Sequence, residues 1–192
     1  MLLSNWKKDI FNIPNLLSLL RLCLIPVYIA IYLNAQTASD YYLAAGILTV
    51  SCLTDMIDGK IARRYNMITS LGKVLDPIAD KATQFTLILC LAFKHAGLFL
   101  VMILFVIKES FQLIAGSLRL RKKKMLKGAL ISGKVCTTVL FISLILMVML
   151  PELDPQIIQI AATIDTVFLL IAFAEYVAAY FFMDNKFQSL DE

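Results

Sequence analysis

From Asn15 to Phe182 the chain is apolar almost without a break, in runs of Leu, Ile, Val, Phe and Ala separated by short polar turns. A bilayer's hydrocarbon core is crossed by about 20 helical residues, so these runs dictate membrane spans before any other property is considered. Of 192 residues, 60% are hydrophobic and 17% charged. No length remains for a separate soluble catalytic module, and any chemistry must sit within or at the edge of a helical bundle.

The polar breaks set the expected spans. Residues 1–11, with Trp6, Lys7, Lys8 and Asp9, read as a short interfacial helix and not as a cleaved signal, because no small-residue processing site follows. Pro14 suits a first helical turn, where its missing N–H costs nothing. Spans are then expected at Asn15 to Leu33, Tyr41 to Arg63, Leu71 to Phe93, Leu98 to Leu118, Val135 to Leu150 and Gln156 to Phe182. Across these spans Lys7, Lys8, Arg63, Arg64, Arg119, Arg121, Lys122, Lys123, Lys124, Lys127 and Lys186 fall on one side, and Lys94 alone on the other. The positive-inside rule makes the richer side cytoplasmic. The expectation is one all-α integral membrane domain over 1–192, with six transmembrane helices, both termini cytoplasmic and residence in the cell membrane. The basic cluster at 119–127 reads as topology and attraction to anionic lipid, with no nucleic-acid partner. Cys23, Cys52, Cys90 and Cys136 lie in apolar runs without a CxxC pair and read as small hydrophobes. His95, in the outer turn, reads as an exposed loop residue.

Charged groups inside a span cost about 2.5–3.5 kcal/mol each at the bilayer centre. Here they are patterned. The second span ends in Asp55-x2-Asp58-Gly59-x2-Ala62-Arg63, and the third begins Gly72-x3-Asp76-x3-Asp80. Helical spacing puts Asp55 and Asp58 on one face and Asp76 and Asp80 on another. The short turn makes the two helices antiparallel, so both acidic pairs lie toward the cytoplasmic end. Four ionised carboxylates at that depth must bind protons or be neutralised by cations. Oxygen ligands without clustered His or Cys favour a hard ion, Mg2+ or Mn2+ with Ca2+ as a further option, over zinc. Gly59, Ala62 and Gly72 remove bulk beside the carboxylates, and Arg63 offers planar donors to a phosphate. A metal site, an Arg and a hollow suit phosphoryl transfer.

As one string, these eight fixed positions over 26 residues resemble the signature of the CDP-alcohol phosphatidyltransferase family. The resemblance implies a six-span membrane enzyme that transfers a phosphatidyl group from CDP-diacylglycerol to an alcohol, releasing CMP. It implies Asp55, Asp58, Asp76 and Asp80 as metal ligands, with Asp80 also the base that activates the acceptor hydroxyl. Gly59, Ala62 and Gly72 would shape the CDP pocket and Arg63 would hold the diphosphate. A homodimer is the family's usual state.

Asn12-Ile13-Pro14-Asn15-Leu16-Leu17-Ser18-Leu19-Leu20-Arg21 resembles the opening of members that use glycerol 3-phosphate, although members that make cardiolipin from phosphatidylglycerol open similarly. A phosphorylated acceptor requires further cations, for which Lys108, Arg119 and Lys134 are the candidates. Two departures stand out: Cys136 replaces the second Lys of a Gly-Lys-x-Lys-Thr segment, and Lys108-Glu109 replaces an Arg-Glu pair. Lys108 with Glu109 reads equally as a structural pair. Arg21 either approaches the polar cavity or pairs inside the bundle. Asp165 and Glu175 read as protonated or interhelically hydrogen-bonded. Two rivals are a cation transporter and a non-catalytic lipid-binding scaffold. No matching acidic pair occurs in the second half to support the first, and the scaffold predicts loss of an acid where none is lost.

Overall fold

The computed structural model describes residues 12–64, 69, 72–121, 124–126, 130–182 and 187–189, without the side chains of 13, 14, 55–64, 73, 74, 121, 124–126 and 187–189. The expected interfacial helix at 1–11 lies outside the described residues. Among those described there are six helices: α1 (Ile13–Asn34), α2 (Ala38–Arg64), α3 (Gly72–Lys94), α4 (Leu98–Arg121), α5 (Ile131–Met149) and α6 (Pro155–Phe182). Four of them, over Asn15–Asn34, Leu98–Leu120, Ile131–Met149 and Pro155–Phe182, are long and apolar enough to cross a membrane. Each of α2 and α3 carries the acidic motif at one end, which lowers its average hydropathy. The chain divides into two compact units, residues 1–90 with 148–151, and residues 91–147 with 152–192.

In the first unit, Asn12 precedes α1 in extended conformation, Pro14 occupies the first turn as expected, and the Leu16 N–H closes that turn on the Asn12 carbonyl. The α1–α2 hairpin is tight. Asp40 Oδ2 accepts from the backbone N–H groups of Gln36 and Thr37 at 3.0 and 2.9 Å and from the Thr37 hydroxyl at 2.9 Å. Tyr32 packs edge-on against Tyr41 across the turn and stacks on Tyr28. α1 and α3 run parallel: Asn15 lies against Gly72, Ser18 against Asp76, and Tyr28 lines the same cleft as Leu87. α2 returns between them in sequence, with Ser51 in that cleft beside Thr83 and Thr86.

The second unit repeats the alternation. α4 and α6 run parallel, since Gly97 meets Gln159, Lys108 lies over Tyr176 and Arg119 reaches the Tyr180 carbonyl. α5 runs against α6: Gly133 backs onto Tyr176 and Ser143 bonds Asp165. That last contact, Ser143 Oγ donating to Asp165 Oδ2 at 2.8 Å, bears out the hydrogen-bonded expectation for Asp165. Exposed Leu113, Ile114, Ile131, Phe181 and Phe182 give this unit an apolar surface suited to lipid.

Three expectations need correction. α5 begins at Ile131 instead of Val135, so Lys134 is inside the helix. The expectation of a purely α-helical chain omits a short antiparallel ladder, β1 (Lys124–Leu126) with β2 (Phe187–Ser189), which forms because the parallel run of α4 and α6 brings the segments that follow them together. His95 is half-buried, and burial followed by the neighbouring Lys94 lowers its imidazole pKa. Cys90 and Cys136 are buried in the core.

Two outcomes follow. The Thr37 N–H, then the Gln36 N–H and the Thr37 hydroxyl, lower the Asp40 pKa from its ordinary 3.8. A lowered carboxylate pKa stabilises the fold above its unfolded value, and the contribution is lost as pH falls through the folded value. Asp40→Ala is therefore expected to melt below wild type at pH 7 in detergent, with the gap closing below about pH 4, near the ordinary Asp pKa. In Gly133→Ala the new Cβ would stand 2.5 Å from the Tyr176 hydroxyl and 2.8 Å from its ring. Overpacking of that kind costs about 1–3 kcal/mol, and the melting temperature of the purified variant reads it.

Candidate active site

The site is built from the parallel run of α1 and α3. With their first turns side by side and α2 antiparallel to both, the α2 segment 55–64 is carried toward the same end of the first unit as Gly72–Asp80. Asp55, Asp58, Gly59, Ala62 and Arg63 are helical in backbone, but their side chains lie outside those described. Asp76 and Asp80 are described. They are half-buried and one helical turn apart on α3, a spacing that puts their Cβ atoms about 5–6 Å from each other.

Three polar residues of α1 are buried, and two of them, Asn15 and Ser18, meet the start of α3. Asn15, Ser18 and Arg21 are 1%, 0% and 2% exposed on an otherwise apolar helix. Ser18 Oγ donates to Asp76 Oδ1 at 2.6 Å. Asn15 Nδ2 donates to Thr69 Oγ1 at 2.9 Å, and the same oxygen accepts the Gly72 N–H at 2.9 Å. Thr69 thereby satisfies an N–H at the start of α3 in the manner of a helix cap, while Asn15 holds Thr69 from α1. The space beside Gly72 is filled: a Cβ there would lie 2.6 Å from Asn15 Oδ1 and 3.2 Å from Thr69 Oγ1. The missing side chain at 72 serves the close approach of α1 to α3.

The described part of this donor set, Asp76 and Asp80 with the Ser18 hydroxyl, is all oxygen. Among the described residues no group of three or more His, Cys, Asp and Glu could hold a metal, so a full ligand set needs the α2 aspartates. Hard oxygen donors fit Mg2+ or Mn2+ better than a soft ion.

The acceptor-phosphate candidates lie in the second unit and border one stretch of α6. Lys108 is buried, with its ammonium 2.7 Å from Glu109 Oε1 and 5.9 Å from the centre of the Tyr176 ring. The Arg119 guanidinium donates to the Tyr180 carbonyl and lines an open groove with Ala115, Leu118 and Phe181. Lys134 is exposed, one residue beyond the Gly133 that abuts Tyr176. Lys108 and Arg119, eleven residues apart on α4, are separated by about 16 Å along the helix, too far to grip one phosphate without extending fully toward each other. The structure thus shows Lys108 as a partner of Glu109.

A family model for CDP-alcohol phosphatidyltransferases matches residues 11–179, which takes in both units and the whole acidic motif. The chain belongs to this family. Among similar proteins, the CDP-diacylglycerol--glycerol-3-phosphate 3-phosphatidyltransferase of Aquifex aeolicus is 31% identical over 91% of this chain and 99% of its own length. The enzymes of the same name from Rickettsia bellii and Escherichia coli are 48% and 46% identical, over 36% and 37% of this chain. The matched stretch spans 38% of the length of each of those two relatives. A cardiolipin synthase (CMP-forming) / mitochondrial hydrolase fusion protein of Schizosaccharomyces pombe is 38% identical over 46% of the chain.

In the sequence, Asn15 and Ser18 stand out only as part of the opening segment 12–21 and Thr69 only as a turn residue, none with a role in the site. A signal was present for the first two: Asn-x2-Ser-x2-Arg places three polar groups within about 120° of one apolar helix. Thr69 gave none. Gly72→Ala is expected to lose about 1–3 kcal/mol through overpacking, and adding Asn15→Ala is expected to recover much of it. Additive losses in a double-mutant cycle of melting measurements would contradict the contact.

Proposed function

We propose that this protein transfers the phosphatidyl group of CDP-diacylglycerol to glycerol 3-phosphate, forming phosphatidylglycerophosphate and CMP. Family membership over 11–179 and the Aquifex aeolicus relative matched over nearly its whole length support it. The observation that carries it is the gathering of the α1 and α3 first turns, with Asp76 held by Ser18, at the end of the first unit toward which α2 brings 55–64.

Asp55, Asp58, Asp76 and Asp80 would hold Mg2+ or Mn2+, which when bound neutralises diphosphate charge and eases departure of CMP. Arg63 would grip the diphosphate bidentately, and Gly59 and Ala62 would leave room for the CDP moiety, while Gly72, whose open side Asn15 fills, would shape the pocket only by letting α1 close on α3. Asp80 would take the proton of the acceptor's primary hydroxyl. The freed oxygen then bonds to the phosphorus that carries diacylglycerol, and the bond from that phosphorus to the CMP oxygen breaks. Lys134 is our first choice for the acceptor phosphate, since it is exposed while Lys108 is engaged by Glu109. Arg119 is the second.

Six spans with both termini cytoplasmic, a cell-membrane location and a site facing the cytoplasm complete the proposal. The up–down–up order within each unit and the excess of Lys and Arg on one side support that topology. A homodimer is proposed from the family alone.

Purified protein given CDP-diacylglycerol is expected to release CMP only with both glycerol 3-phosphate and Mg2+ or Mn2+ present. Phosphatidylglycerol as the sole effective acceptor would move the protein to cardiolipin synthesis. Asp80→Asn is expected to slow release by about 100-fold or more, the scale of a lost general base, and unchanged turnover would remove Asp80 from that role.

A further inference from the structure

Hydroxyl groups on apolar helices have a local partner at hand, the carbonyl one turn back. Thr49, Thr83, Thr138, Thr163 and Thr166 all take it, each donating to the carbonyl four residues earlier at 2.8–2.9 Å. Ser18 does not. Wholly buried on α1, it donates across the helix pair to Asp76 Oδ1 at 2.6 Å, the length of a charge-assisted O–H···O⁻ bond. The Asn15–Thr69–Gly72 contact sits one turn away along both helices and sets the register that makes this reach possible.

We propose that Ser18 is a positioning residue for the acidic site, fixing the Asp76 carboxylate through Oδ1 and leaving Oδ2 for the divalent cation. The terminal torsion of an aspartate is broad and roughly two-fold, so an unrestrained Asp76 presents either oxygen over a wide arc. One hydrogen bond from a buried hydroxyl narrows that arc. The inference rests on the proposed metal role of Asp76 and concerns a residue outside the family motif at 55–80.

The test is Mn2+ titration of the purified full chain in detergent, following the electron paramagnetic resonance of free Mn2+, alongside melting of the metal-free protein. Ser18→Ala is expected to weaken Mn2+ binding about tenfold, within the 10- to 100-fold range for outer-sphere partners of metal ligands. Metal-free melting is expected to change little, and Ser18→Thr to restore binding to within about twofold of wild type, because it keeps the donor. Wild-type affinity in Ser18→Ala would overturn the inference while leaving the metal reading intact. Absence of Mn2+ binding to wild type would overturn the metal reading itself and the inference with it. Weaker binding matched by an equal loss of metal-free stability would identify a packing role and also overturn it. Should Ser18→Ala not fold, Ser18→Cys, a weaker donor of similar volume, is expected to bind Mn2+ several-fold less tightly, and wild-type binding there would overturn the proposal equally.

Discussion

A polar group buried among apolar helices in a bilayer must find its partner within the protein, because hydrocarbon offers none. In the first unit that requirement is met by a contact between helices that are not neighbours in sequence: Asn15 to Thr69 and Ser18 to Asp76, with Thr69 closing on the Gly72 N–H. Glycine at 72 lets the helices close to the distance at which these short side chains meet. The parallel order of α1 and α3 follows, and with it the placement of Asp76 and Asp80 at the end toward which α2 returns. Packing and chemistry share the same few atoms there, so a change that loosens the contact is felt at the acids.

The second unit is held differently. Its aromatic contacts centre on Phe111, which meets Phe173, Tyr180 and Phe181 edge-on or tilted. Tyr176 fills the space that Gly133 leaves. Among its described polar contacts are Lys108 with Glu109 and Ser143 with Asp165. Interhelical hydrogen bonds in membranes average about 0.6 kcal/mol and reach about 1.7, so the Ser143–Asp165 bond fine-tunes a packing that aromatic and aliphatic contact largely determines. Pairing of Lys108 with Glu109 also narrows the choice of cations left for a phosphate.

Much of the fold was legible in the chain. Helix ends fell within a few residues of the apolar–polar boundaries, because solvent preference is a one-dimensional property that each residue carries with it. The largest miss, the start of α5, arose where Ser132, Gly133 and Lys134 interrupt the apolar run, although Gly133 is buried against Tyr176 within the helix. The acidic motif and the family it signals were legible because the spacing of aspartates, glycines and alanine is a local pattern. The contact of α1 with α3 was not, since its partners are 54 and 58 residues apart and Thr69 looks like any turn threonine until α1 lies beside it.

By itself the sequence determined where helices run, which of them carry acids, and to which family of lipid transferases the chain belongs. Only the tertiary structure decided that a serine of the first helix restrains an aspartate of the third, that Gly72 makes room for Asn15, and that Lys108 turns to Glu109. The physical reason is that apolar composition drives helices into the membrane without specifying which faces meet. Short-range hydrogen bonds and steric fit select those faces, and their geometry exists only once the helices are side by side.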